Sequence, residues 1–79
     1  MTKESILLLK ELIREKDGRL EAIGRRLELL HTLTLQAETT DEMALIGQEV
    51  KMLGEEIKFL TDSRKEFQKE INAFYKPAA

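Results

Sequence analysis

A long run of apolar residues at alternating steps of three and four constrains this chain more than any other feature. Its members are Met43, Ile46, Val50, Leu53, Ile57, Leu60, Phe67, Ile71 and Phe74, and only Arg64 interrupts them. This spacing places one apolar stripe along one side of an α-helix. Because the stripe lasts for more than four heptads, it predicts a helix that packs lengthwise against another helix.

The N-terminal half of the chain supplies the second helix. Its apolar residues repeat the same spacing: Ile6, Leu9, Ile13, Leu20, Ile23, Leu27 and Leu30. Asp17 and Gly18 have the composition of a turn, but the three-four spacing of the apolar residues continues across them without a shift. We therefore predict one continuous helix at about residues 3–37, capped at its start by Thr2.

The connection between the halves carries a helix-start signal. Thr39 and Glu42 form an S/T-x-x-E capping box, in which each side chain binds a free backbone amide of the first turn. A turn at about 38–40 is followed by a helix at about 40–76, because Pro77 cannot continue it. Two long helices joined by a short loop fold back on each other. The expected fold is an all-α, coiled-coil-like antiparallel hairpin in a single domain.

Charged residues beside the apolar seam agree with an antiparallel pairing. With Ile6 and Met43 at heptad position a, Arg19 and Arg26 occupy position g of the first helix. Position g of the second helix holds Glu42, Glu49, Glu56 and Glu70. Since g faces g in an antiparallel pair, the arginines should lie among the glutamates and fix the alignment.

A second apolar stripe lies at position c, away from the seam. Leu45, Met52 and Phe59 recur every seven residues on the second helix, and the first helix contributes Leu8, Leu12, Leu29 and Leu33. Single exposed apolar residues are normal on protein surfaces, but a regular stripe is typical of an interface. We expect these seven residues to contact another copy or another protein. A homodimer of hairpins, hence a four-helix or larger bundle, is the simplest arrangement.

Three glycines fall at position e. Gly24, Gly47 and Gly54 lie within predicted helices, with His31 on the same edge, and together they forgo roughly 2–3 kcal/mol of helix propensity. A close approach between two helices would compensate for this loss of helix propensity. It would occur either within the hairpin, with Gly24 near Gly54 and His31 near Gly47, or against a third helix. A ligand groove along this edge is the alternative.

An antiparallel register that sets Leu27 near Leu53 also brings Ile13 near Phe67 and Ile6 near Phe74, all of them apolar pairs.

The same register places Lys16 beside Arg64, two cations in an apolar seam. Such a pair needs neutralisation. The nearest carboxylates in sequence are those of Glu15, Asp17 and Glu66. We interpret the layer as a polar device that fixes register. The alternative is a site for a small anion such as a phosphate or a nucleotide, with Arg19 contributing.

Composition narrows the function class. The 79 residues have a net charge of −2 and no cysteine, which disfavours nucleic acid, anionic membranes and thiol chemistry. We find no paired nucleophile and base and no glycine-rich phosphate loop, so we expect no enzyme activity and no cofactor or metal. The N-terminus holds only four consecutive apolar residues, too few for a signal peptide or a spanning helix, and we expect a cytoplasmic protein.

These observations predict a small non-enzymatic interaction module, namely an adaptor, a chaperone or an inhibitory subunit. The alternative is a bundle that binds a ligand or an anion through Lys16, Arg64 and the glycine edge. Small hairpin chaperones of bacterial secretion systems are similar to this chain in size and pattern.

Residues 40–53 resemble the Spo0E-like aspartyl-phosphate phosphatases, small two-helix hairpins whose second helix carries Ser-Gln-Glu-Leu-Asp. Gln48 and Glu49 match that motif, whereas Gly47 stands in place of the serine and Lys51 in place of the aspartate. The resemblance implies a third possibility, a degenerate Spo0E-like regulator of a phosphorelay.

Overall fold

The computed structural model describes residues 2–75 and shows two helices packed against each other as a hairpin. Helix α1 spans Lys3–Gln36 and helix α2 spans Thr40–Tyr75, with no strand between residues 2 and 75. The predicted all-α hairpin is therefore confirmed, and both helices begin where the sequence predicts. The predicted end of the second helix at residue 76, and Pro77 after it, lie outside the described residues.

Both helix starts are capped by threonine. The Ser5 amide donates to Thr2 Oγ1 over 3.1 Å, and the Glu42 amide donates to Thr39 Oγ1 over 3.1 Å. The Glu42 carboxylate accepts from the Glu38 amide at 3.0 Å, one residue earlier than the amide that a standard capping box uses. The predicted capping box thus fixes the start of α2, and the hydrogen bond between the Glu38 amide and the Glu42 carboxylate also holds the loop in place.

Helix α1 continues through Asp17 and Gly18 without a break. Gly18 has no positive φ angle, so it adopts the ordinary helical backbone and not the left-handed conformation that glycine permits. The unbroken three-four spacing therefore predicted this segment correctly, whereas its turn-like composition did not.

The core of the hairpin is small and entirely apolar. Six of the described side chains are buried: Ile6, Ile13, Ile23, Leu30, Leu60 and Ile71. Ile6, Ile13 and Ile71 form a cluster at the base, the end away from the loop, and Leu9 and Phe67 pack against it. This cluster agrees with the predicted pairing of Ile13 with Phe67.

Helix α1 does not cover the whole predicted seam of α2. Met43, Val50 and Phe74 occupy seam positions, yet 53%, 42% and 40% of their surfaces are exposed. A single neighbouring helix covers only one side of another helix, so residues at the margin of the stripe remain in water. Our expectation that Phe74 packs in a layer with Ile6 is therefore only partly met, because Ile6 is buried and Phe74 is not.

The hairpin is a rod of 61 × 17 × 15 Å. Its radius of gyration is 18.0 Å, against about 12 Å for a compact chain of this length. Its accessible surface is 6388 Å², whereas a compact monomer of 9.1 kDa exposes about 4,900 Å². The isolated hairpin therefore leaves about 1,500 Å² more surface in water than a compact fold of the same mass.

Candidate interaction face

Two arginine–glutamate pairs bridge the helices where their g positions meet. Arg19 donates to Glu56 from Nε over 2.6 Å and from Nη2 over 2.9 Å. Arg26 binds Glu49 in the same two-bond geometry, over 2.5 and 2.9 Å. The predicted placement of the arginines among the glutamates is confirmed, and the matched pairs fix the register of α1 against α2.

These hydrogen bonds favour the charged form of all four groups. The pKa of Glu49 and that of Glu56 lie below their ordinary value of 4.5 because each carboxylate accepts from a guanidinium. The same bonds raise the pKa of Arg19 and of Arg26. All four side chains remain open to solvent, where such pairs contribute little to stability. Their main effect is to select one alignment.

The predicted apolar stripes lie on either side of these pairs. We call this surface the c/g face, and it comprises Leu8, Leu12, Leu29, Leu33, Leu45, Met52 and Phe59. Leu12 is half-buried, and the other six are exposed, with Leu45, Met52 and Phe59 at 68%, 64% and 66%. The hairpin thus leaves the stripe in water, as the sequence predicts, and its contact with another molecule stays a prediction. Neither helix, between residues 2 and 75, has an apolar stretch long enough to cross a membrane.

An open groove of about 380 Å³ lies beside the loop. Its lining residues are Leu33, Gln36, Ala37, Glu42, Leu45 and Ile46. Leu33 and Leu45 belong to the c/g face, so the groove extends that face to the tip of the rod. Sequence reasoning missed Gln36, Ala37 and Ile46 as members of this surface. The sequence signal for Ile46 is its heptad position d, which lies next to position g on the helix surface and so at the margin of the c/g face.

Lys16 and Arg64 do not face each other as an unneutralised pair. Arg64 donates to Asp17 over 2.6 and 3.4 Å. The Lys16 ammonium lies 5.4 Å from the centre of the Phe67 ring and 5.8 Å from that of Phe59, within the range of a cation–π contact. Asp17 is one of the carboxylates that the sequence offered for this layer. Each cation therefore has its own partner.

The anion-site alternative gains no support from this arrangement. Arg64 and Arg19 are each bound by a carboxylate, and the pKa of Arg64 is raised by its hydrogen bond to Asp17. An incoming anion would have to compete with Asp17 and Glu56 for these two guanidiniums. Only Lys16, of the three cations in the predicted site, has no carboxylate within 4.0 Å among the described residues.

The glycine edge is not a place of close approach within the hairpin. A Cβ atom added at Gly24, Gly47 or Gly54 would meet no atom within 4 Å. His31 is exposed on the same edge. The expected approach of Gly24 to Gly54 and of His31 to Gly47 is therefore wrong, because the two helices meet along the seam and leave this edge open. The contact with a third helix stays a prediction.

Comparison with protein-family models, with curated proteins and with solved structures finds no significant match. The resemblance of residues 40–53 to the Spo0E-like phosphatases therefore stays a hypothesis. In the hairpin, Glu49, which that motif shares, binds Arg26.

Proposed function

We propose that this protein is a non-enzymatic protein–protein interaction module that self-associates through the c/g face into a four-helix bundle. In this form it serves as an adaptor, a chaperone or an inhibitory subunit. The observation that carries the proposal is the exposure of Leu45, Met52 and Phe59 in one regular row. A row of large apolar side chains on one face is typical of a surface that another protein covers.

The area of the rod supports this proposal. A specific interface of standard size removes about 800 Å² from water on each partner, and each hairpin exposes about 1,500 Å² more than a compact monomer of its mass. With six buried side chains between residues 2 and 75, the core of one hairpin offers little stability at this chain length. Association would enlarge the apolar core and bring the surface of each chain closer to that of a compact protein.

Sedimentation velocity at micromolar concentrations tests the proposal. We expect a dimer for the wild-type chain. The double variant Met52→Glu, Phe59→Glu should sediment as a monomer with unchanged helical circular dichroism, since both side chains point away from the seam. Leu35→Glu is the matched control, because Leu35 is 75% exposed but lies at position b, off the c/g face, and it should leave the dimer intact.

Two results would contradict the proposal. A wild-type chain that remains monomeric at hundreds of micromolar would remove self-association altogether. A dimer that survives the double variant would move the interface away from the c/g face.

A further inference from the structure

The apolar row on α2 is symmetric about its middle member. Leu45 and Phe59 lie seven residues before and after Met52, on the same side of the helix. A two-fold axis that passes beside Met52, perpendicular to the rod, therefore brings Leu45 of one copy onto Phe59 of the other, and Met52 onto itself. The pairing of Ile13 with Phe67 places Leu29 of α1 at about the level of Met52 along the rod. The two-fold axis therefore passes beside Leu29 as well.

The charge of the rod is distributed unevenly along its length. Residues 27–50, which form the tip, contain five carboxylates and no lysine or arginine. Glu49 is bound to Arg26, so four acidic side chains of the tip are not compensated by a basic residue at the seam among the described residues. The other 55 residues carry all 13 lysines and arginines and the remaining 10 of the 15 acidic residues. A parallel dimer would bring two acidic tips together, and like charges across an interface oppose association. An antiparallel dimer places each acidic tip over the basic part of the second copy.

The same axis brings one particular pair of charges together. Glu42 lies ten residues from Met52 toward the loop and lines the groove. Ten residues from Met52 in the other direction, the rod reaches the level of the Lys16 ammonium, which lies between the heights of Phe59 and Phe67. Lys16 has no carboxylate within 4.0 Å in the described hairpin. The second copy would supply one.

We propose that two hairpins pack antiparallel through their c/g faces, with the two-fold axis beside Met52, Leu45 on Phe59 of the second copy and Glu42 bound to Lys16 of the second copy. This rests on the self-association proposed above and assigns its geometry. The overlap covers about 20 residues, or about 30 Å of rod. The base of each hairpin, including Leu8, extends beyond the overlap.

Cysteine cross-linking tests the geometry, and the absence of native cysteine makes each introduced thiol unique. Met52→Cys should form a disulfide-linked dimer under mild oxidation. Leu45→Cys alone should not, whereas an equimolar mixture of Leu45→Cys and Phe59→Cys should. Leu35→Cys, off the face, is the control and should stay unlinked. A different result would indicate a parallel dimer and overturn the proposal: in a mixture of Met52→Cys and Leu29→Cys, the disulfide would join the two different variants and not two copies of Met52→Cys.

A charge exchange tests the contact between Lys16 and Glu42. Lys16→Glu and Glu42→Lys should each weaken the homodimer by about tenfold or more, because each creates like charges at two symmetric contacts. Mixing the two variants should restore a heterodimer, since both contacts again join opposite charges. Glu42→Gln is the control for the helix cap. Its side-chain oxygen still accepts from the loop amide, so this variant removes the charge and retains the cap.

The outcomes distinguish this geometry from the underlying self-association. A wild-type monomer in sedimentation would overturn both proposals. A wild-type dimer whose Met52→Cys form does not cross-link, or whose charge variants do not complement each other, would leave self-association standing and show that the antiparallel arrangement is wrong.

Discussion

Alanine at the helical glycines should stabilise the hairpin. Gly24, Gly47 and Gly54 lie inside helices, and an added Cβ meets nothing within 4 Å at any of them. Each Gly→Ala change should therefore raise the free energy of unfolding by about 1 kcal/mol, the difference in helix propensity. The triple variant should gain about 2–3 kcal/mol. For a domain of this size, 1 kcal/mol corresponds to about 4–8 °C in Tm.

Thermal and urea unfolding, followed by circular dichroism at 222 nm, measure this gain for each single variant and for the triple variant. All samples must have the same protein concentration, because association raises the apparent stability. Ala44→Gly is the matched control, since Ala44 is exposed on α2 and should lose about 1 kcal/mol by the same reasoning. Sedimentation of every variant shows whether association has changed.

A fall in Tm for Gly47→Ala or Gly54→Ala would refute the reasoning, particularly if the oligomer also dissociated. It would mean that the added methyl group meets a neighbour that the single hairpin does not contain. The glycine edge would then be an interface with a third helix, and the exposed Met43 and Val50 beside it would belong to the same contact.

Two further predictions concern the core and the ion pairs. Ile23 is 1% exposed, so Ile23→Ala should lower the free energy of unfolding by about 2–4 kcal/mol through lost burial and a residual cavity. Leu35→Ala should change it by less than about 0.5 kcal/mol, and similar urea midpoints for the two would contradict the assigned core. The pKa of Glu49 and of Glu56 is lowered, so their contribution is present above pH 4.5 and is lost as the pH falls through the folded-state values. The double variant Glu49→Gln, Glu56→Gln should unfold with a smaller dependence on pH in that acidic range, and an unchanged dependence would show that the pairs do not matter.

Most of the hairpin was predictable because its main signals are local and periodic. The three-four spacing identified both helices, and its unbroken phase across Asp17 and Gly18 outweighed their turn-like composition. Thr39 and Glu42 located the start of α2 because a capping box needs only a few neighbouring residues. The g positions placed Arg19 and Arg26 among the glutamates, since heptad geometry alone decides which edges meet.

Side-chain detail was less predictable because it depends on the reach and angle of individual groups. The pattern placed Lys16 against Arg64, but the guanidinium turns to Asp17 and the ammonium lies near two aromatic rings. The glycine spacing suggested close contact, whereas the distance between the helices at that edge depends on the larger residues in the seam. Position alone also cannot show that Met43 remains exposed when only one helix covers it.

The small apolar cluster at the base has a consequence for how the rod opens. The pair of Arg26 and Glu49 near the loop closes 23 residues of chain, whereas Lys10 and Tyr75 at the base close 65. The longer closure costs about 1 kcal/mol more in chain entropy. The covalent loop therefore holds the helices together at the tip, while burial of Ile6, Ile13 and Ile71 must hold them at the base. A mutation in that cluster would open the hairpin from its free ends and leave the tip closed.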